Sequence, residues 1–503
     1  LSSLTSLRAT SAPQSPGATG RGFLPAQAAQ AAERPALSVV LAYLFLPALL
    51  SLLSVHLLST LPHGYVNLEF LLIGAVGLFL PRPVVISMLL VDALADCVYS
   101  ICYTYQFSLH DLFWSLRFVS SLPASRRMAG VAVLLAALFL CWMLSALHPP
   151  RARRMHTAAA LVAAAAILVP VDALNGQNPL WHEDVSWASF RLTRSPVLVL
   201  GVRQAAALRT ESTARHSPNQ PSPSASAQML AWLDQSTAQS AAQLVQPDIV
   251  LIVVESWGLT RDPHLAAALT AAYADPAIVR NYKVTAGTAP FTGLTVPGEA
   301  RELCRSTLGF GILHPSTEEA RRCLPHLLRA RGYLATAIHG YAGEMFYRAA
   351  WYRELGFGRT FFGADLGKLG LPQCGGAFPG ICDGAIAGFI GHALLAPRHT
   401  QPQFVYWVTL NSHLPVPAHP ALAADSACAA DAALQNSPAL CSWFRLVRAV
   451  HQSVSQLAIG AVAHPTVFVL VGDHAPPFAD PSLRGRFSNI EVPYIMLSPL
   501  ASR

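Results

Sequence analysis

Apolar runs of membrane-crossing length crowd the first third of this chain and constrain its fold more than any other feature. A span takes about 20 mainly apolar residues, within a range of about 17–25. Ala36–Leu58 meets that requirement. Val66–Leu80 is short and carries Glu69, so it reads either as a span or as a re-entrant piece. Pro81-Arg82-Pro83 then interrupts the chain, and Val84–Tyr105, Gly130–Leu147 and Ala158–Leu174 follow. About five spans are expected. Composition agrees: 53% of the 503 residues are hydrophobic and only 12% are charged, against about 25% charged in soluble domains. That excludes a disordered chain and disfavours an ordinary soluble enzyme, and it fits a membrane segment joined to a globular domain. Net charge is +7 and the pI is near 9.0. No dense Lys/Arg run accompanies that charge, so no nucleic-acid partner is expected. The first residue is Leu1 rather than Met, as expected of a processed or incomplete chain.

Arginines in the short loops orient the spans. With the N-terminus inside, Arg8, Arg21, Arg34, Arg82, Arg151, Arg153 and Arg154 are cytoplasmic, and Arg117, Arg126 and Arg127 lie opposite. Five spans then export everything after Leu174, which places the protein in the inner (plasma) membrane with its distal half on the periplasmic or extracytoplasmic side. Gln106–Arg127 reads as an interfacial amphipathic helix or a plain loop. Asp92 and Asp96 share a helix face in the third span, either as functional acids or as a water-facing stripe.

The expected organisation is a cytoplasmic tail at 1–35, a transmembrane α-helical domain at 36–174, a linker and juxtamembrane region at 175–247 and a globular domain at 248–503. Thr210–Gln228 is rich in Ser, Pro, Thr and Ala and reads as linker. Met229–Leu244 reads as a helix. Asp248–Val254 is a β-branched apolar run expected to be a buried parallel strand. Similar runs recur at Leu334–Ile338, Phe404–Leu410, Thr466–Val471 and Tyr494–Leu497, with a helical stretch around Glu318–Arg331. This alternation predicts an α/β domain, mainly a parallel sheet with helices on both faces. Chemistry in such sheets gathers beyond the carboxyl ends of the strands.

Six cysteines fall in the distal half, without the spacings of structural zinc sites. In an exported domain they are expected to pair, most simply as sequence neighbours 304–323, 374–382 and 428–441; buried free thiols are the alternative.

Several strand ends carry candidate chemistry. Glu255 closes the first strand, as a metal ligand or as a structural acid. Thr295, in Gly293-Leu294-Thr295-Val296-Pro297-Gly298-Glu299, is expected to be an N-cap. The same hydroxyl, at a helix N-terminus that favours anions and beside a metal, would be a nucleophile. Asp473 and His474 form a strand-end turn able to reach one metal, or simply a turn acid and a surface imidazole. His339 and His413 end two further strands, and Arg348 follows nine residues after His339. A histidine and an arginine so placed can hold a phosphate by charge-assisted hydrogen bonds.

A strand-end Glu, G-x-T-x-x-x-E, H-G-x(7)-R, N-S-H and G-D-H follow one another in that order. The set resembles the alkaline phosphatase superfamily, sulfatase-like, and within it the membrane-anchored lipoteichoic acid synthase and phosphoglycerol transferase branch. The resemblance runs from about Asp248 to the end. It implies that Glu255, Thr295, Asp473 and His474 bind one divalent metal ion (manganese, magnesium or zinc) and that Thr295 is the nucleophile. His339, Arg348 and His413 would face the substrate phosphate, with His413 also catalytic. It further implies a transferase that moves a phosphoglycerol- or phosphoethanolamine-like group from a membrane phospholipid donor to a glycan or lipid acceptor in the cell envelope. Tyr341 and Phe346 depart from that branch, which tends to have a polar or acidic residue and a Trp there, so the headgroup stays open. The family pattern also continues beyond Arg503, so a closing element is expected to be missing. The alternative is a sulfatase-like phosphodiesterase or sulfuric ester hydrolase with water as acceptor. A formylglycine core, C/S-x-P-x-R, is missing: Ser121-Leu-Pro-Ala-Ser-Arg126 is one residue out of register, and Cys304-Arg-Ser-Thr lacks the Pro.

Overall fold

A computed structural model describes residues 26–500 except 59, 61–63, 106–108, 123, 148, 175–191, 202–204, 206–222, 240–245, 291–292, 307–308, 396–399, 417–425, 430, 462–463 and 479. Much of the expected linker falls outside the described residues.

The N-terminal half is a helix bundle: α1 (Ala26–Leu58), α2 (Leu68–Gly77), α3 (Arg82–Tyr105), α4 (Leu109–Leu116), α5 (Ala124–Ala146) and α6 (Arg154–Leu174). Among the described residues four helical stretches, Leu37–Leu58, Arg82–Cys102, Ala124–Ala146 and Arg151–Val171, are long and apolar enough to cross a membrane. The second expected span is only the ten-residue α2, about 15 Å long. Leu58 at the end of α1 and Thr104 near the end of α3 line one cavity beside the C-terminal half. The start of α3 lies at the far end, where Arg82 Nε donates to Ser145 Oγ at 3.2 Å. Between Leu58 and Arg82, the described residues run through strand β1 (Val66–Asn67) into the ten-residue α2.

Irregular backbone at that depth is tolerated only when buried in protein. Here β1 pairs with β2 (Thr193–Arg194), and the Arg194 guanidinium donates to the carbonyl of Gly64. Arg194 also donates to both oxygens of Asp96, at 2.7 and 2.6 Å. Asp96 is thus a buried ion-pair partner holding this crossing, and the water-facing stripe is corrected: Asp92 and Asp96 are 2% and 3% exposed. The segment between the third and fourth spans does contain a helix, α4.

The C-terminal half begins with α7 (Ala225–Gln239) and β3 (Asp248–Val254). It continues with β4 (Tyr282–Pro290), α8 (Thr295–Cys304), β5 (Leu334–His339), α9 (Arg348–Glu354), β6 (Arg359–Phe361), β7 (Gln403–Val408), α10 (Pro438–Gly460), β8 (Thr466–Gly472) and β9 (Glu491–Pro499). The seven strands form one sheet in the order β4-β9-β8-β3-β7-β5-β6. β8, β3, β7, β5 and β6 are parallel, whereas β9 is antiparallel to both β8 and β4. Alternate β3 residues feed two cores: Val250, Ile252 and Val254 pack under α10, and Ile249, Leu251 and Val253 pack under α7 and α8. The expected α/β architecture is present, with helices on both faces.

Three sequence expectations need adjustment. Tyr282–Pro290 was not expected as a strand: it is an edge strand with exposed alternate residues and has no continuous apolar run. The final strand is longer than Tyr494–Leu497 and antiparallel. α7 starts at Ala225, inside the expected linker, because Ser226 donates from its N–H to Glu302 Oε2 (3.0 Å) and from its hydroxyl to Glu302 O (2.7 Å) on α8.

Disulfides join Cys304–Cys323, Cys374–Cys382 and Cys428–Cys441, while Cys97, Cys102 and Cys141 take part in no disulfide among the described residues. The expected result of alkylating protein taken from its native compartment is labelling of the three membrane thiols at most, with the other six reacting only after reduction. Six distal thiols that alkylate without reductant would refute both the pairing and an exported domain.

Candidate active site

Four of the parallel strands end beside one another, and their ends supply the site. Glu255 follows β3 directly. Its N–H donates to Thr409 Oγ1 (2.9 Å), and its carbonyl accepts from Ser412 Oγ (2.6 Å), so the loop after β7 fixes it. Ser256 has φ 56°, a left-handed conformation that costs energy for a non-glycine residue. That turn aims the Ser256 N–H at Asp473 Oδ1 (2.8 Å) and its hydroxyl at Glu255 Oε1 (2.8 Å). Gly472, at the end of β8, is required by close approach: a Cβ there would lie 1.9 Å from the Trp257 carbonyl oxygen.

Glu255, Asp473 and His474 offer ligand atoms within 4.8 Å of one another, all from buried residues. His474 Nε2 lies 3.3 Å from both Glu255 Oε1 and Asp473 Oδ2. Asp473 Oδ2 is buried without a hydrogen-bond partner, an arrangement that normally calls for an ion or another unseen partner. Two carboxylates and an imidazole converging on one point, with an orphaned oxygen among them, fit a divalent cation; that donor set suits several metals.

Electrostatics point the same way. Burial acts to raise the Glu255 carboxyl, yet the charges of His413 and His474 hold it well below the usual range. Burial, then the Glu255 charge, pushes Asp473 up to about 7. Burial would lower His474, but Asp473 and Glu255 outweigh it and push the imidazole up to about 9. A cation at this point would relieve the crowded negative charge.

Thr295 joins this cluster, but not as the expected N-cap. It is the first residue of α8; the cap position is Leu294, and no side chain caps the helix. The Thr295 hydroxyl instead donates to Glu255 Oε2 at 3.1 Å. Tertiary attraction to a buried carboxylate has replaced the local cap. Gly298, one turn on, lets α8 sit against the Asp473–His474 turn, since a Cβ there would lie 3.1 Å from Asp473 Cβ. Arg301, fully buried, donates to Glu302 Oε1 (2.6 Å), Pro290 O (2.8 Å) and Gly472 O (2.7 Å), tying α8 to the ends of β4 and β8.

The three remaining candidates line the same cavity of about 360 Å³ as Glu255, Thr295 and His474, with Asp473 buried behind. In His339, His413 and His474 the Nδ1 atom faces a carbonyl oxygen, of Val408 (3.2 Å), Leu414 (2.7 Å) and Ala475 (2.9 Å) respectively. A carbonyl only accepts, so each Nδ1 carries a proton; Nε2 of His339 and His413 is left for chemistry, and Nε2 of His474 faces the two carboxylates. Burial, then the charge of Arg348, pushes His339 down to about 3, and burial lowers His413.

Arg348 is held by a partner the strand-end reasoning missed. Its Nε and Nη2 donate to Glu299 Oε1 at 2.9 and 2.7 Å. Glu299 Oε2 accepts from Tyr352 (2.5 Å) and Tyr406 (3.2 Å). The signal was in the sequence, four residues after Thr295 in G-x-T-x-x-x-E, hence on the same face of one helix. Asp383 was missed as well. It accepts from the N–H groups of Leu410 and Asn411, fixing the loop that carries His413. Burial pushes its carboxyl up to about 7.

Comparison with known proteins adds the following. The structure is similar to the lipoteichoic acid synthase LtaP from Listeria monocytogenes, at 14% identity over 50% of this chain and 65% of that one, with a TM-score of 0.36. It is also similar to the Streptococcus pyogenes phosphoglycerol transferase GacH in complex with sn-glycerol-1-phosphate (14%, 54% and 73%, TM-score 0.35). A third is the C-terminal periplasmic domain of EcEptC from Escherichia coli (11%, 51% and 73%, TM-score 0.30). The chain thus spans less than two thirds of the LtaP structure it matches. No curated protein sequence matches it. The sulfatase family model matches residues 247–503, just over half of the chain and the whole of the sheet domain that carries this site. With strand ends, ligand cluster and family match coinciding in one domain, the chain belongs to the sulfatase family.

Proposed function

We propose that this protein is a membrane-anchored phosphotransferase that takes a phospho-headgroup from a lipid donor onto Thr295 and passes it to a cell-envelope acceptor. The single observation that carries the reading is the Thr295 hydroxyl 3.1 Å from Glu255 Oε2, at the floor of a cavity with apolar walls. Those walls include Leu58, Ile101, Leu112, Leu116 and Leu122 from the membrane half, which suits acyl chains. The Arg bias of the loops supports placing the domain outside the cytoplasm. The domain limits read from the sequence, 36–174 and 248–503, are kept in this reading.

Glu255, Thr295, Asp473 and His474 would hold a divalent cation, which when bound lowers the pKa of the hydroxyl and neutralises phosphoryl charge. In the first step the Thr295 oxygen bonds to phosphorus and the phosphorus–oxygen bond to the diacylglycerol breaks. The Thr295 proton ends on the departing diacylglycerol oxygen. Arg348 and His339 steady the phosphate oxygens. In the second step an acceptor hydroxyl attacks, and its proton passes to Nε2 of neutral His413. The bond from Thr295 to phosphorus then breaks, and His413 returns the proton to the Thr295 oxygen. With water as acceptor the same steps describe a phosphodiesterase, the second reading.

Intact mass of the full chain after incubation with manganese and vesicles of phosphatidylglycerol or phosphatidylethanolamine tests this. The expected result is a mass increase on the peptide containing Thr295 equal to one headgroup phosphate, with diacylglycerol released in equal amount. Diacylglycerol release without any adduct, even when the acceptor is withheld, would refute the covalent route. No release from either vesicle would refute both lipid donors.

A further inference from the structure

The catalytic cavity is not walled by the sheet domain alone. Near the site, Leu294 packs both on the sheet-domain core and against a membrane-half cluster of Tyr99, Cys102, Leu112 and Leu200. Arg484 donates to the Thr104 carbonyl at the end of α3 (2.6 Å). A third contact reaches the phosphate side. Phe118, between α4 and α5, is only 3% exposed, and its ring centre lies 5.0 Å from that of Phe346 and 4.7 Å from that of Tyr347.

Phe346 and Tyr347 immediately precede Arg348, and both are left-handed, with φ 54° and 52°. Two consecutive non-glycine residues in that region are strained, and they persist only where the surroundings over-determine them. Part of that determination is local. The Tyr347 N–H donates to Glu344 O (2.9 Å), the Ala349 N–H to Gly343 O (2.9 Å) and Trp351 Nε1 to Phe346 O (2.9 Å). The rest is packing: Phe310 lies 5.9 Å from Phe346 on one side, and Phe118 touches both strained residues from the membrane half. The Arg348 guanidinium in turn lies 5.4 Å from the Phe346 ring while paired with Glu299. The turn therefore sets where α9 begins and where its first side chain points. Relaxing either φ to the right-handed region would displace Arg348 from Glu299 and from the cavity.

We propose that Phe118, a residue of the membrane half, is a positioning residue for Arg348: its ring holds the strained Phe346–Tyr347 turn and so keeps the guanidinium facing the substrate phosphate. This rests on the reading of Arg348 as a phosphate ligand. It makes the phosphate site composite, complete only when the bundle and the sheet domain are docked.

The test uses the full chain in detergent with manganese, as wild type, Phe118→Ala and Phe118→Leu. Hydrogen exchange over residues 345–350 reads the turn, and titration with inorganic phosphate reads the site. Phe118→Ala is expected to speed exchange at the Tyr347 and Ala349 amides about tenfold and to weaken phosphate binding about tenfold, equivalent to about 1.4 kcal/mol. Amides in α10 should exchange as in wild type, which separates a local effect from unfolding. Phe118→Leu keeps the bulk and should stay within about threefold of wild type on both readouts. Phe118→Ala with wild-type exchange overturns the brace. Faster exchange with unchanged phosphate affinity overturns the positioning role. A metal-loaded wild type that takes up no phosphate would instead refute the phosphate reading itself.

Discussion

Replacing Thr295 by alanine is expected to lower turnover at least roughly 10³-fold, the order seen when a nucleophile that acts as part of a unit is removed. The fold should survive. The hydroxyl caps no helix end and makes one described side-chain hydrogen bond, to Glu255. Losing that bond costs about 0.5–1.5 kcal/mol, and relief of the crowded carboxylates by bound metal offsets part of it. Wild type should carry a phospho-adduct on Thr295, and Thr295→Ala should carry none. Thr295→Ser retains a hydroxyl and should keep partial activity. His413→Ala leaves the nucleophile and the ligand cluster intact, so adduct should accumulate if His413 serves the second step. Near-normal turnover in Thr295→Ala with metal bound would end the covalent assignment.

The second large effect is expected at Glu299, and it is one of stability. Glu299 is completely buried, pairs with buried Arg348 and accepts from two tyrosine hydroxyls. Glu299→Ala leaves a buried guanidinium without its counter-charge, which costs about 3–5 kcal/mol. For a domain of this size that is on the order of 10 °C in midpoint temperature. The double variant Glu299→Leu with Arg348→Met should recover most of the lost stability, because well-packed apolar replacements of a buried pair are often neutral. It should not recover phosphate transfer, because the charge facing the phosphate is gone. Thermal unfolding of the two variants decides: a midpoint for Glu299→Ala within about 2 °C of wild type would show that the pair holds little of the fold.

Legibility in the sequence followed physical cause. The four helices long and apolar enough to cross a membrane were readable because lipid demands continuous apolar runs. The second expected span was ambiguous because only ten of its residues form a helix, after a two-residue strand whose neighbour Gly64 is held by Arg194 from about 130 residues away. Buried parallel strands announced themselves through DIVLIVV-like runs, whereas β4 did not, because an edge strand needs only one covered side.

The sequence by itself determined the two-part architecture, four of the parallel strands and the seven side chains that the fold gathers, six lining one cavity and Asp473 buried behind it. Both halves follow from local demands: apolar length for a span, and polar residues where a buried strand runs out. Only the tertiary structure decided what those side chains do to one another. Thr295 turned from an expected cap into a donor to Glu255, 40 residues away. Arg348, expected to face a phosphate, proved to be held by Glu299 as well. Phe118, unremarkable in a loop, came to rest on the strained turn beside it. Each outcome depends on desolvated contacts between segments far apart in sequence, and no local periodicity or spacing encodes which distant partner a buried polar group will find.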